Sequence, residues 1–142
     1  MSKIVFISCV SKKLDKKAKA EDLYISPLFK MNLIYAKSLS PSKIFILSAK
    51  YGLLNLEDII SPYDLTLNTM KITEVKSWAE KVRKQMDGKI NFQKDEVIFL
   101  AGEKYRKYLI PYLKNISIPM KGLGIGKQLQ FLKNKINHGK TL

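Results

Sequence analysis

Apolar side chains fall along this chain in two kinds of run. Lys3–Cys9 (KIVFISC), Lys43–Ala49 (KIFILSA) and Asp95–Gly102 (DEVIFLAG) are rich in β-branched and aromatic residues without polar alternation, which predicts strands buried on both faces. Ile116–Pro119 (ISIP) predicts a short fourth strand. Between the strands the period becomes helical. Leu23, Phe29, Leu33 and Ala36 recur at that spacing from Ala20 to Ser38, with Ser26-Pro27 breaking or restarting the helix and Pro41 closing it. Thr73–Met86 sets Val75, Trp78, Val82 and Met86 on one face. Glu103–Leu113 predicts a helix carrying Tyr105, Leu109 and Tyr112. After the GLGIG run, Ile125, Leu129, Leu132 and Ile136 follow a four-three-four spacing. Lys50–Asn68 holds no period and reads as a long loop with at most a short helix around Leu56–Ile60. Loops of that length inside a domain are functional or disordered, and this one is too apolar for disorder.

Buried strands separated by helices predict an α/β fold: a three-layer α/β/α arrangement around a mainly parallel sheet of about four strands, in one domain over residues 1–142. In such sheets the site lies beyond the carboxyl ends of the strands. That rule selects Ser8–Lys12, Ser48–Gly52, Ala101–Tyr105 and Met120–Lys127.

Charge changes the picture most. The chain carries 26 Lys+Arg against 12 Asp+Glu, a net charge of +14, and so favours polyanionic partners: nucleic acid or a nucleotide. Only Arg83 and Arg106 are arginine; the rest are lysine, a point charge without the planar fork that reads bases. A lysine-rich, AT-biased genome would give the same excess without function. Beyond Glu103 the acids vanish, whereas Pro41–Met70 holds Lys43 and Lys50 against Glu57, Asp58 and Asp64. No apolar run approaches the roughly 20 residues of a membrane span. The lysines after the first apolar run argue against a signal peptide, so a cytoplasmic protein without a membrane partner is expected. One cysteine, Cys9, leaves no internal disulfide and no cysteine-built zinc site.

Four strand ends carry candidate chemistry. At the first, Ser8 and Cys9 are potential nucleophiles, although the one histidine, His138, is remote in sequence, and Cys9 reads more simply as a small buried residue. Ser11 and Lys12 would hold an anion or form a solvated turn. At the second, Ser48, Lys50, Tyr51 and Gly52 offer a hydroxyl, a phosphate contact, an aromatic face and a backbone free to take positive φ, or else a glycine turn under an aromatic lid. Asp64, closing Ser-Pro-Tyr-Asp with Tyr63, is a general base or a turn cap. Gly102 and Tyr105 follow the third strand, and Gly124, Gly126 and Lys127 open the last helix, an anion-binding start or a plain tight turn. The GLGIGKQL run is neither a phosphate-binding Walker loop nor a dinucleotide fingerprint, and metal-binding spacings are missing; the sequence points to no cofactor and no metal.

Leu47-Ser48, Tyr51-Gly52-Leu53-Leu54, Asp58, Ile60 and Pro62-Tyr63 resemble the Leu-Ser-x-x-Tyr-Gly-Leu-Leu-x-x-x-Asp-x-Ile-x-Pro-Tyr passage of the YaaA peroxide-stress family. The Arg-x-Glu that follows in that family is Asp64-Leu65-Thr66 here. Over nearly its whole length the chain is similar to small uncharacterised bacterial and phage domains, through Ser8-Cys9, Lys13, Leu23-Tyr24, Ser26, Phe29, Ser48-Ala49, Tyr51-Gly52, Pro62-Tyr63-Asp64, Ala101-Gly102, Tyr105 and Gly126. Related passages occur in archaeosine synthases, within a domain similar to uracil-DNA glycosylases. The resemblance implies an α/β/α fold of that kind and a link to nucleic acid or nucleobases.

The reading that joins these signals is a nucleic-acid-associated protein acting on a nucleobase or an N-glycosidic bond. Tyr51 or Tyr63 would stack the base, Asp64 would position water or stabilise developing charge, and Lys12, Lys50 and Lys127 would hold phosphate. A non-catalytic nucleic-acid-binding domain is the alternative, and hydrolysis or binding of a free nucleotide at the glycine loop a third. All depend on Lys12, Tyr51, Asp64 and Gly126 sharing a hollow at one rim of the sheet.

Overall fold

The computed structural model describes residues 2–8 and 12–140. Cys9, Ser11 and the side chain of His138 lie outside the described residues. In chain order the elements are β1 (Lys3–Ser8), β2 (Ala18–Lys19), α1 (Ala20–Leu23), α2 (Pro27–Ser38), β3 (Lys43–Ser48), β4 (Gly52–Asn55), β5 (Ile59–Ile60), α3 (Ile72–Met86), β6 (Glu96–Leu100), α4 (Glu103–Arg106), β7 (Asn115–Ser117) and α5 (Ile125–Lys140). The central sheet has five strands in the order β4-β3-β1-β6-β7. β1 runs parallel to β3 and β6, β6 parallel to β7, and β4 antiparallel to β3. β2 and β5 form a separate antiparallel pair.

Successive strand residues point to opposite faces, and here both faces are covered. Ile4, Phe6, Phe45, Leu47, Val97 and Phe99 pack with Val75, Trp78, Val82 and Met86 of α3. Val5, Ile7, Ile46, Ile98 and Leu100 pack with Phe29 and Ala36 of α2 and with Leu132 of α5. The helices therefore flank a mostly parallel sheet, and this is why the strand sequences lack polar alternation.

Local chemistry sets the helix limits. Ser26 Oγ accepts the Phe29 N–H at 3.2 Å and Pro27 takes the first turn of α2, where a missing N–H costs nothing. Glu74 Oε1 accepts the Lys71 N–H at the start of α3, and Gly88 ends the chain's turn beyond it at φ 79°.

Three segments depart from the sequence expectation. Within Lys50–Asn68, β4 pairs with β3 through a hairpin whose register joins Ser48 to Gly52, and β5 pairs with β2. Four residues are too few to establish a period, so β4 is invisible to one. The expected helix over residues 103–113 is α4 followed by a separate 3-10 turn at Ile110–Tyr112. Pro111 has no N–H and its ring conflicts with the carbonyl four residues back in a continuing helix. Ile125, assigned by spacing to the buried stripe of the last helix, is 63% exposed, while Leu132 is fully buried; α5 reaches the sheet only beyond its first turn.

Candidate functional site

The carboxyl end of β3 carries a chain of hydroxyl groups. Ser48, the last residue of that strand, is fully buried. Its Oγ accepts the Tyr51 N–H at 3.1 Å and donates to the Tyr63 phenol oxygen at 2.8 Å. That oxygen lies 2.7 Å from the phenol of Tyr24, a fully buried side chain just after α1. Such pairing is required, since a buried hydroxyl without a partner costs about 1–3 kcal/mol.

Aromatic rings and cations surround this chain. The Tyr51 ring meets Tyr63 edge-on at 5.6 Å, and Tyr24 meets Tyr63 edge-on at 6.4 Å. The Lys13 ammonium sits 4.6 Å from the Tyr63 ring centre and 5.8 Å from that of Tyr24, within the range of cation–π attraction. Lys13 is held there by backbone pairing with Tyr24, flanked by bonds from Ile25 N–H to Lys12 C=O and from Leu14 N–H to Leu23 C=O. The Lys50 ammonium stands 5.4 Å from the Tyr51 ring, and the Tyr51 hydroxyl donates to the Ser61 carbonyl. The arrangement offers flat apolar surfaces, two cations and a relay of exchangeable protons at a single strand end.

The hairpin turn bearing Tyr51 is clamped from α3. Gln85 Oε1 accepts the Leu53 N–H at 2.8 Å, and Gln85 Nε2 donates to the Tyr51 carbonyl at 3.1 Å. Gly52, at φ 76°, stands against that amide, where a Cβ would collide with Gln85 Oε1. Trp78 Nε1 donates to the Ser48 carbonyl at 2.8 Å. α3 thus fixes both the strand end and the turn.

The other residues selected by sequence fall into different sets of neighbours. Ser8 Oγ, at the end of β1, accepts the Gly102 N–H at 3.1 Å and bridges the ends of β1 and β6. Tyr105 lies on the α3 face, its hydroxyl 3.4 Å from Thr66 Oγ1 and from the Leu67 nitrogen, its ring edge-on to Trp78 at 5.6 Å. Gly124, Gly126 and Lys127 are exposed at the start of α5. Nearby, Gly102, Arg106, Leu123 and Gln128 line a crevice of about 170 Å³. Asp64 follows Tyr63 directly and is exposed, with no hydrogen bond or ion pair holding its carboxylate among the described residues. Lys12 is exposed and contributes its carbonyl to the pairing beside Tyr24.

Sequence chemistry overlooked Tyr24 and Lys13, which entered only as pattern positions. A tyrosine two residues before a Ser-Pro helix start was the available signal, but nothing local shows that its phenol meets one 39 residues away. Replacing Tyr63 by Phe takes away the oxygen between Ser48 and Tyr24 and is expected to lower the unfolding free energy by about 1–2 kcal/mol. Urea titration checks this, and an unchanged midpoint would show the hydroxyl contact to be idle.

Among the described residues, no three His, Cys, Asp or Glu side chains stand together as a metal-binding group. No described helix is long and apolar enough to cross a membrane.

Comparison with known proteins adds two findings. Residues 4–134 match the family described as "Family of unknown function (DUF6884)". The chain is also 33% identical over 147 residues to the "Uncharacterized protein YfjM" of Bacillus subtilis (strain 168), covering 96% of each chain.

Proposed function

Since the chain belongs to the DUF6884 family, a membership that brings no activity with it, we propose from its own residues that it is a nucleic-acid-associated protein whose carboxyl rim takes a nucleobase beside Tyr51 and Tyr63. One observation carries this reading: two tyrosine rings 5.6 Å apart, with the ammonium groups of Lys13 and Lys50 at 4.6 and 5.4 Å from them, gather where β3 ends. Stacking on an aromatic ring is worth about 1–3 kcal/mol per base and tolerates any sequence. The surplus of 14 positive charges has no carboxylate to pair with anywhere in the chain, which favours the phosphate backbone that accompanies such a base. Lys12, Lys50 and Lys127 are the proposed phosphate contacts. The likeness of Leu47–Tyr63 to the YaaA passage points the same way, as does the proposed relation to uracil-DNA-glycosylase-like domains.

A second reading adds catalysis on the base or its N-glycosidic bond. What favours it is the exposed Asp64 carboxylate adjoining Tyr63. A carboxylate there would orient water or stabilise the positive charge that develops on the sugar. Without it the rim is a binding surface alone.

One experiment tests both. Binding of a labelled single-stranded oligonucleotide is measured from about 50 to 200 mM salt, and released base is assayed in the same samples. Association requires log K to fall with log[salt] at about −0.7 per phosphate contacted; a flat line ends it. Base release abolished by Asp64→Asn supports catalysis, and release unaffected by that substitution removes Asp64 from it.

A further inference from the structure

Along the carboxyl rim, three depressions follow one another, each consecutive pair sharing a lining residue. The first, about 470 Å³, is lined by Ala49, Trp78, Lys81 and Met70. Met70 also lines the second, about 280 Å³, with Lys104, Lys107, Tyr108 and Glu103. Glu103 in turn borders the crevice that holds Arg106. The result is a trough from the hairpin turn to the start of α5.

Its chemistry is cationic and aromatic. Lys81, Lys104, Lys107 and Arg106 line it against the carboxylates of Glu74 and Glu103, and Glu74 is already engaged by the Lys71 N–H. Tyr108 has two ammonium groups close to its ring centre, Lys76 at 5.5 Å and Lys107 at 5.7 Å. Lys104 and Lys81 each bond a backbone carbonyl, of Asn68 and Lys50, which orders the ammonium and leaves it two further N–H donors. A small ligand would fill one depression. A chain that alternates negative charge with flat rings fits all three.

We infer that a single nucleic-acid strand lies along this trough, with Tyr108 as a stacking platform and Lys76, Lys104 and Lys107 as phosphate contacts. The inference rests on the nucleic-acid association proposed above and gives it a path. Phosphates take the ammonium groups from Tyr108, and the uncovered ring receives a base. At its far end the strand passes Lys81, which holds the Lys50 carbonyl, and arrives at Tyr51 and Tyr63. A single strand suits the trough better than a duplex because its bases are free to leave the stack.

Trp78 is the sole tryptophan of the chain and lines the trough, so its fluorescence reports occupancy in the full-length protein. Titration with an oligothymidylate of about 12 nucleotides, a length within the usual site sizes, is expected to give a saturable change. Tyr108→Ala is expected to weaken binding about tenfold, since one stacked base is lost. Lys104→Gln with Lys107→Gln, both on exposed side chains, is expected to reduce the salt slope by about 1.4, or 0.7 for each phosphate contact. Lys43→Gln, at the opposite end of β3, is expected to change the slope by no more than experimental scatter. Circular dichroism of each variant separates lost binding from lost folding, and the lysine pair remains decisive if Tyr108→Ala fails to fold. Oligonucleotide binding that survives the lysine substitutions with its slope intact overturns the trough and leaves association standing. No binding by the wild-type chain overturns both. Equal displacement by polyglutamate would reassign the trough to an acidic peptide, and tighter binding of a duplex would reject the single strand.

Discussion

Phe6→Ala is expected to lower the unfolding free energy by about 3–5 kcal/mol, the range for removing a buried aromatic ring. Phe6 is fully buried in the middle strand. Its register partners on either side are Phe45 and Phe99, which it meets edge-on at 6.0 and 5.4 Å. The substitution therefore removes apolar burial, opens a cavity against α3, and breaks two ring pairs worth about 0.5–1.5 kcal/mol each beyond their area. A shift of the urea midpoint at constant slope is the expected signature. A loss below about 1 kcal/mol would mean that the three-ring row collapses around the gap, contrary to the usual stiffness of packed interiors.

Gly52→Ala is expected to cost about 2–4 kcal/mol, an effect that no sequence propensity suggests. The left-handed conformation at φ 76° contributes about 1–2 kcal/mol for any residue with a Cβ. The added methyl also displaces the Gln85 amide from the Leu53 N–H and the Tyr51 carbonyl, at about 1 kcal/mol for each bond. Gly88→Ala separates the two causes: its φ is 79°, with nothing within 4 Å of the added carbon, so only the backbone cost remains. Equal losses at both positions, measured by urea titration, would show that Gln85 simply steps aside. Because Gln85 grips the turn that carries Tyr51, Gly52→Ala should also weaken whatever binds that ring.

The reach of sequence reasoning follows from the range of the signal. β1, β3 and β6 were legible because almost every residue in them is apolar, a pattern that only strands covered on both faces require. The break at Ser26-Pro27 was legible because capping is a local hydrogen bond. β4 was not, since the identity of its partner is settled by a turn at Ala49–Tyr51 and by Gln85 arriving from α3, 32 residues beyond Leu53. The end of the α4 helix needed more weight on Pro111 than on the recurrence of Tyr105, Leu109 and Tyr112. At the site, Ser48 and Tyr51 were readable as the end of a buried strand. Their meeting with Tyr63, and the insertion of Tyr24 and Lys13 beside it, depend on how residues 12–14 lie against residues 23–25, and no periodicity encodes that.

The central place of β1 has a consequence for the chain as it is made. β1 is synthesised before both of the strands that flank it, β3 and β6, which lie on opposite sides of it. Until Glu96–Leu100 has been synthesised, one edge of Lys3–Ser8 has no native partner, and unpaired edges recruit other strands. A nascent or truncated chain ending before Glu96 would expose an apolar hydrogen-bonding edge to its neighbours.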